Sequence, residues 1–256
     1  SRCFRRSPHL SFAESVAALL ALPQPEDRPD LDDIVPDEDD THSVLHFIDR
    51  VIPSVKATPT VNDLVNTCNL TDDDIRVLIA YKIETPFPLY RWINAMLTCT
   101  RRDADVVKGV GPLFTRLYRA LEKLPVVQCE ASRAVVVGNI PAMKNAFDNH
   151  TTRFAKGREL NFWGFSSFST DQHVINNKAF MGAINDEAIV YTCPTLSGVD
   201  IEPFRPSNVP AEAEILPLAP AMFKVVTSTM VGNKVVVMIE QVSNDEESYV
   251  VPSTTS

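Results

Sequence analysis

Three groups of polar residues in the second half of this chain have types and spacings suited to chemistry. Arg133 stands near the start of "ASRAVVVG", Ser167 and Ser169 lie in "GFSSFSTD", and Glu212 and Glu214 sit two positions apart in "NVPAEAEIL". An arginine can neutralise a phosphate through two parallel hydrogen bonds, and a serine on a strand can orient a carboxylate. A carboxylate can in turn stabilise a cationic transition state. The glutamate pair raises the sharpest question. In an extended chain residues i and i+2 face the same way, roughly 6 to 7 Å apart, so two like charges repel unless a cation lies between them. The other reading is a solvated edge strand, where charges discourage aggregation.

The elements that must position these residues follow from periodicity. Before Pro125 the apolar spacing is helical: "LSFAESVAALLAL" with a Ser11/Glu14 capping box, "THSVLHFIDRVI" and "TVNDLVNTC" divided by "PSVKATP", "TDDDIRVLIAYKIE" with Thr71 as N-cap and Asp74 at its third position, "PLYRWINAMLTCTRR", and "VGPLFTRLYRALEKLP". Gly111 and Pro112 predict the start or a kink of the last helix. Its arginines, Arg116 and Arg119, superficially compete for a site role in "LYRALEKL". The spacing of Leu113, Leu117, Ala120, Leu121 and Leu124 puts them on a helix face instead.

After Pro125 the spacing becomes that of strands: "SRAVVVG", "LNFWGFSSFS", "AIVYTC", "AEIL", "AMFKVVTST" and "KVVVMIEQV", the last two joined by a "VGNK" hairpin. "PAMKNAFDNHTTRFAKG" predicts a helix between strands, and "DQHVINNKAF" a shorter one. Helices first and strands later argue an α+β fold. No internal repeat or glycine-rich phosphate loop is present.

With 256 residues, 45% of them hydrophobic and 22% charged, the chain can bury a sizeable core. No apolar run approaches the roughly 20 residues of a membrane span. The opening "SRCFRRSPHL" has neither an initiator Met nor a signal-peptide core, and reads as a trimmed fragment, so localisation is left unknown. Net charge is −9, yet −8 of it lies in "PEDRPDLDDIVPDEDDT", a proline-containing stretch expected as a self-repelling loop. The absence of a basic stripe argues against nucleic acid as a partner. Five cysteines without close pairing are expected as reduced, packed thiols. His42 and His46, with Asp49 on the same face, have spacing that could hold a metal, but the wet face of a helix explains them and no metal is expected.

The order of the polar groups carries a further signal. An arginine on a strand, an aromatic-rich strand with Ser-x-Ser-Thr, and Glu-x-Glu before an apolar strand resemble the mono-ADP-ribosyltransferases of the Arg-Ser-Glu class, the bacterial exotoxin and arginine-specific ectoenzyme kind. Upstream, "IAYKIETPFPLYRWINAMLTCTRR" is similar to that family's helical Tyr-x-x-Glu followed by Asn-x-x-Leu, and "LYRALEKLP" to its Leu-Pro ending before the arginine strand. The resemblance spans about residues 70 to 230; residues 1 to 65 match no named pattern.

The resemblance implies two packed, mainly antiparallel sheets with a helical N-terminal half. It divides the chain into a helical extension with the acidic loop (1–65), a catalytic domain (66–245) and a polar tail (246–256). It implies NAD as substrate, without a metal, and a protein carrying an acceptor arginine as partner. Arg133 would clamp the NAD phosphates. Ala134, where the family often has Gly, would offer its backbone to the nicotinamide amide. Ser167 would hold the catalytic glutamate and the nicotinamide ribose, Phe168 replaces a small residue between the serines, and Ser169 is structural. Glu214 corresponds to the catalytic glutamate and Glu212 to the acid associated with arginine acceptors. Phe204, in "SGVDIEPFRPSN", would either pack on the protein substrate or fold onto its own domain. Trp163 and Phe165 share one strand face and Phe168 takes the other, as core residues or with one ring stacked on NAD.

Breaking the nicotinamide–ribose bond develops positive charge at the anomeric carbon while nicotinamide leaves neutral, so one ionised carboxylate suffices. A guanidinium nucleophile must be aligned and relieved of a proton, a role for Glu212. Two other activities fit the same pattern: an NAD glycohydrolase, with water in place of arginine, and an inactive partner-binding module.

Overall fold

The computed structural model describes residues 38–83, 90–91, 93–94, 104–138, 141–162, 164–177, 181–183, 185–218 and 221–242, with side chains beginning at His46 in the first helix and Leu113 in the fourth. The Ser11/Glu14 capping box, most of the acidic loop, Glu84, Leu97, Trp163 and the polar tail therefore lie outside the described residues.

Helix α1 (Glu38–Lys56) begins within the expected acidic loop and runs through Pro53, where a break is expected. A proline costs a helix one N–H and crowds the preceding turn, but near the end of a long helix few bonds remain to be lost. Thr58 then caps α2 (Pro59–Cys68), and Asn69, with a left-handed φ of 54°, closes it. Helix α3 (Asp72–Lys82) opens on the expected capping box. Thr71 Oγ1 accepts from the Asp74 N–H at 3.2 Å, and the Thr71 N–H donates to Asp74 Oδ2 at 2.7 Å. Helix α4 (Ala104–Lys123) starts ahead of Gly111 and Pro112 and leaves Arg116 and Arg119 exposed, as the apolar spacing requires. Buried residues of all four helices meet in one cluster, which also takes Val199, Ile201, Phe204 and Leu216 from the strand-rich half. None of the described helices is long and apolar enough to cross a membrane.

The strands are β1 (Val126–Val136), β2 (Glu159–Phe162), β3 (Phe168–Ser169), β4 (Ala188–Asp200), β5 (Glu214–Leu216), β6 (Ala221–Val231) and β7 (Lys234–Gln241). Among the described residues they form one sheet in the order β1-β3-β5-β4-β7-β6-β2, with β1 also paired to β4. All pairings are antiparallel except β4–β7. The α+β class with a mainly antiparallel sheet is thus present. The two expected layers, however, are joined by hydrogen bonds: β1, β3, β5 and β4 close a ring, because β4 is long enough to pair with β1 and then reach β5 through Val199 and Asp200. The "VGNK" turn closes β6 and β7 with Gly232 at φ 58°, where its missing Cβ removes the steric penalty. Between β1 and β2 the expected helix is two, α5 (Pro141–Asp148) and α6 (His150–Arg153). A short α7 (Gln172–Ile175) follows β3, capped by Asp171.

The segment "LNFWGFSSFS" departs most from its strand period. Its two ends pair at separate places in the sheet, β2 with β6 and β3 between β1 and β5. Side chains replace the ladder in between. Asn94 accepts from the Phe165 N–H at 2.7 Å and donates to the Phe165 carbonyl at 3.0 Å, and the Tyr81 hydroxyl donates to the same carbonyl at 3.0 Å. A Cβ on Gly164 would stand 2.7 Å from Asn94 Oδ1, so glycine is what allows this approach. Phe165 enters the helix-side core and Phe168 the second core, between sheet and helices α5 and α6.

Candidate active site

Arg133, Ser167, Ser169, Glu212 and Glu214, with Ala134 and Phe168, line one cleft, floored by Val174 and Ile175. These residues come from β1, the segment around β3, and β5 with the chain just before it. The sheet register sets β1, β3 and β5 side by side: Ser132 of β1 pairs with Ser169 of β3, which pairs with Glu214 of β5.

The Arg133 guanidinium is half-buried and donates from Nη1 to the Ser167 carbonyl at 2.9 Å. Burial pulls its pKa down, while Tyr81, Tyr191 and Glu214 nearby act to raise it. The planar fork has five donors, and one such bond leaves others available. Tyr191 stands opposite Arg133 in the β1–β4 register, and burial pushes its hydroxyl up to about 12. Tyr81 is buried as well and is held well above the ordinary phenol range, first by burial and then by Glu214. Both phenols are therefore neutral donors at physiological pH.

Ser169 ties the glutamate segment down. Its hydroxyl donates to the Glu212 carbonyl at 2.6 Å and accepts from the Asp171 N–H at 3.0 Å, while the Thr170 N–H donates to the Ala213 carbonyl at 3.2 Å. Ala134 and Phe168 are both buried, Phe168 as part of the second core, so its ring takes the core alternative.

Two expectations need correction. Glu212 and Glu214 do not share a strand face, since β5 begins only at Glu214 and Ala213 has a left-handed φ of 46°. The backbone turns there, and the two carboxylates reach the cleft from different backbone directions. The Glu214 carboxylate is bonded not to Ser167 but to the ammonium of Lys82, while Ser167 is anchored through its carbonyl. Of the two alternatives for Phe204, the ring takes the fold onto its own domain: it is fully buried, in a single 3-10 turn (Glu202–Phe204), and enters the helix-side core, so exposing it would forfeit roughly 2 to 3 kcal/mol.

Lys82 is thus the cation that the acids require, and the motif reading misses it. Its side chain is 1% exposed, bonded to Glu214 Oε2 and 3.4 Å from Glu202 Oε2. Burial would push the ammonium pKa down, but Glu214 first, then Glu202 and Glu212, outweigh it and hold the group above its ordinary value. A signal was present: Ile75, Leu78, Ile79 and Lys82 fall at i, i+3, i+4 and i+7, which places a lysine on an apolar stripe. Glu202, also missed, links the parts. Its carboxylate takes Arg205 Nε at 2.5 Å and the Glu212 N–H at 3.3 Å, and its own N–H donates to Asp200 Oδ1 at 2.9 Å. Among the described residues no group of three or more His, Cys, Asp or Glu side chains could hold a metal.

Ala213 allows a direct test of the turn. A Cβ in the left-handed region costs roughly 1 to 2 kcal/mol, so Ala213→Gly is expected to raise the unfolding free energy by about 1 kcal/mol in urea titrations, and Ala213→Val to lower it.

No protein-family model matches the chain, and no curated protein does. Solved structures do match: the architecture is that of the ADP-ribosyltransferases. The chain is similar to the ADP-ribosyltransferase Vis from Vibrio splendidus, in complex with agmatine, at 19% identity and a TM-score of 0.54 over 85% of this chain and 89% of that one. Similarity to the ADP-ribosyltransferase HopU1 of Pseudomonas syringae pv. tomato has 16% identity and a TM-score of 0.58 over 82% and 99% of the two chains. For the C3 exoenzyme of Clostridium limosum the values are 15% and 0.53 over 77% and 95%. At such identities the likeness establishes the fold.

Proposed function

We propose that this protein transfers ADP-ribose from NAD to an arginine of a protein substrate and releases nicotinamide. The observation that supports this reading most is the convergence of Arg133, Ser167, Glu212 and Glu214, spread over 82 positions of sequence, on one cleft of an ADP-ribosyltransferase fold. Residues 66–245 carry the chemistry in this reading, with residues 1–65 as a helical extension.

Each residue then has a task set by its charge and anchorage. Arg133 clamps the NAD phosphates with the donors not spent on the Ser167 carbonyl, and Ala134 offers its backbone to the nicotinamide amide. Ser167, fixed through that carbonyl, presents its hydroxyl to the nicotinamide ribose. Glu214 stands as a negative charge beside the anomeric carbon as nicotinamide departs. Glu212 accepts the N–H bonds of the incoming guanidinium, aligns it and takes its proton, so that a neutral nitrogen attacks carbon. The solved complex of Vis holds agmatine, a molecule that ends in a guanidinium, which supports that acceptor class.

Incubation with NAD and a lysate, followed by mass spectrometry, identifies the modified residue; arginine is expected. With agmatine as a small acceptor, Glu212→Gln is expected to lower transfer by about 100-fold through loss of the aligning base while NAD hydrolysis continues. Equal transfer by Glu212→Gln and the wild type would remove Glu212 from acceptor activation. Hydrolysis with no acceptor modified would replace the transferase by a glycohydrolase, and neither activity would leave a binding module.

A further inference from the structure

The last turn of α3 has no part in the functional reading so far, yet it carries the buried lysine against Glu214. We propose that Lys82 is a positioning residue for the reaction: its ammonium grips one Glu214 oxygen from the helix side as the counter-charge of that carboxylate, and leaves the other oxygen for the cleft. This rests on the proposed role of Glu214.

A lysine on the apolar stripe of α3 is strongly disfavoured unless its charge is matched. It is matched here by Glu214 at Oε2 and by Glu202 at 3.4 Å. Glu202 in turn receives the Glu212 N–H at 3.3 Å and Arg205 at 2.5 Å. The cationic end of one helix therefore binds the glutamate strand directly and, through Glu202, the chain that carries Glu212. Removing Lys82 would free Glu214 from this anchor, while Glu212 stays tied through Ser169 and Glu202.

A carboxylate in a closed site takes up a proton more readily when its counter-charge is removed. The groups around Glu214 and Lys82 are Tyr81 on α3, Arg133 on β1, Asp200 at the end of β4, Glu202 and Arg205 in the turn that follows, and Glu212. Of these, Arg133 is the other cation acting on Glu214 directly, and it is tied to Ser167. Tyr81 is neutral, and Asp200, Glu202 and Glu212 cannot substitute for a cation.

The test uses the full chain as wild type, Lys82→Met, Lys82→Gln and Lys82→Arg. NAD cleavage is followed from about pH 5 to pH 9. In parallel, 13C shifts of the glutamate carboxyl carbons are followed, with Glu214 assigned by its absence from Glu214→Gln. In Lys82→Met the acid limb of the rate profile is expected to move up by about 1 to 2 pH units, with the rate recovering at alkaline pH. The Glu214 carbon should move with it, and Lys82→Arg should bring both back toward wild type. Lys82→Gln, which keeps a donor without the charge, carries the same expectation should the Met variant fail to fold. A folded variant whose acid limb and Glu214 carbon both match wild type overturns the proposal. A wild type without NAD cleavage would overturn the functional reading instead, and the carbon titration would then decide by itself whether Lys82 keeps Glu214 ionised.

Discussion

Glu214→Gln is expected to slow NAD cleavage and ADP-ribose transfer together by about 10²- to 10³-fold, the usual cost of one pre-oriented electrostatic group. The substitution keeps the shape and an acceptor oxygen for Lys82, and removes only the charge. Since Glu214 is assigned to the developing cation and not to ground-state binding, kcat should fall while KM for NAD changes little. A structural cost accompanies the kinetic one. Lys82 is left in a buried position with Glu202 at 3.4 Å as its remaining carboxylate partner, so the unfolding free energy should drop by about 1 to 3 kcal/mol. Rates are therefore compared below the thermal transition, located by circular dichroism. Undiminished cleavage by the folded variant would falsify the assignment of Glu214.

Arg133→Lys is expected to show the opposite split. The guanidinium spends one N–H on the Ser167 carbonyl at 2.9 Å and retains a rigid set of donors for phosphate oxygens. A lysine keeps the charge but has a single ammonium, which cannot hold that carbonyl and a diphosphate in the same geometry. Loss of a charge-assisted bond of about 1.5 to 3 kcal/mol should raise KM for NAD by about 10- to 100-fold. The effect on kcat should be smaller, because the arginine acts on a part of the substrate that does not change charge. Isothermal titration with NAD, using the Glu214→Gln background to suppress turnover, separates affinity from rate. Unchanged affinity would mean that Arg133 serves the protein's own loop and not the phosphates.

The two predictions also mark how far a linear reading reaches. The Thr71–Asp74 capping box, the helix carrying Arg116 and Arg119, and the β6–β7 hairpin were readable because each depends on neighbours within a few positions. The order of Arg133, Ser167, Ser169 and the glutamates is readable as a pattern, and these residues line one cleft. The strand period predicts a single strand over "LNFWGFSSFS", but its backbone partners at Phe165 are side chains some 71 and 84 positions upstream, those of Asn94 and Tyr81. Periodicity records which faces are apolar and carries no information on distant donors.

Phe204 is open to two readings in the sequence for a related reason. A single aromatic in a polar turn has no period, and only the assembled fold decides whether its ring meets solvent or a core, here one built by α1 to α4. Glu212 and Glu214 were placed on one face by a rule valid for regular strands, which a left-handed residue between them breaks.

What the sequence determined by itself is the inventory and order of the chemistry: an arginine, a serine pair and two carboxylates. What only the tertiary structure decided is how those charges are neutralised. Lys82 and Glu214 are 132 positions apart, and no local pattern relates them. Their pairing arises when α3 lays its apolar stripe against the strand-rich half, and the lysine, closed off from water, must find a carboxylate there.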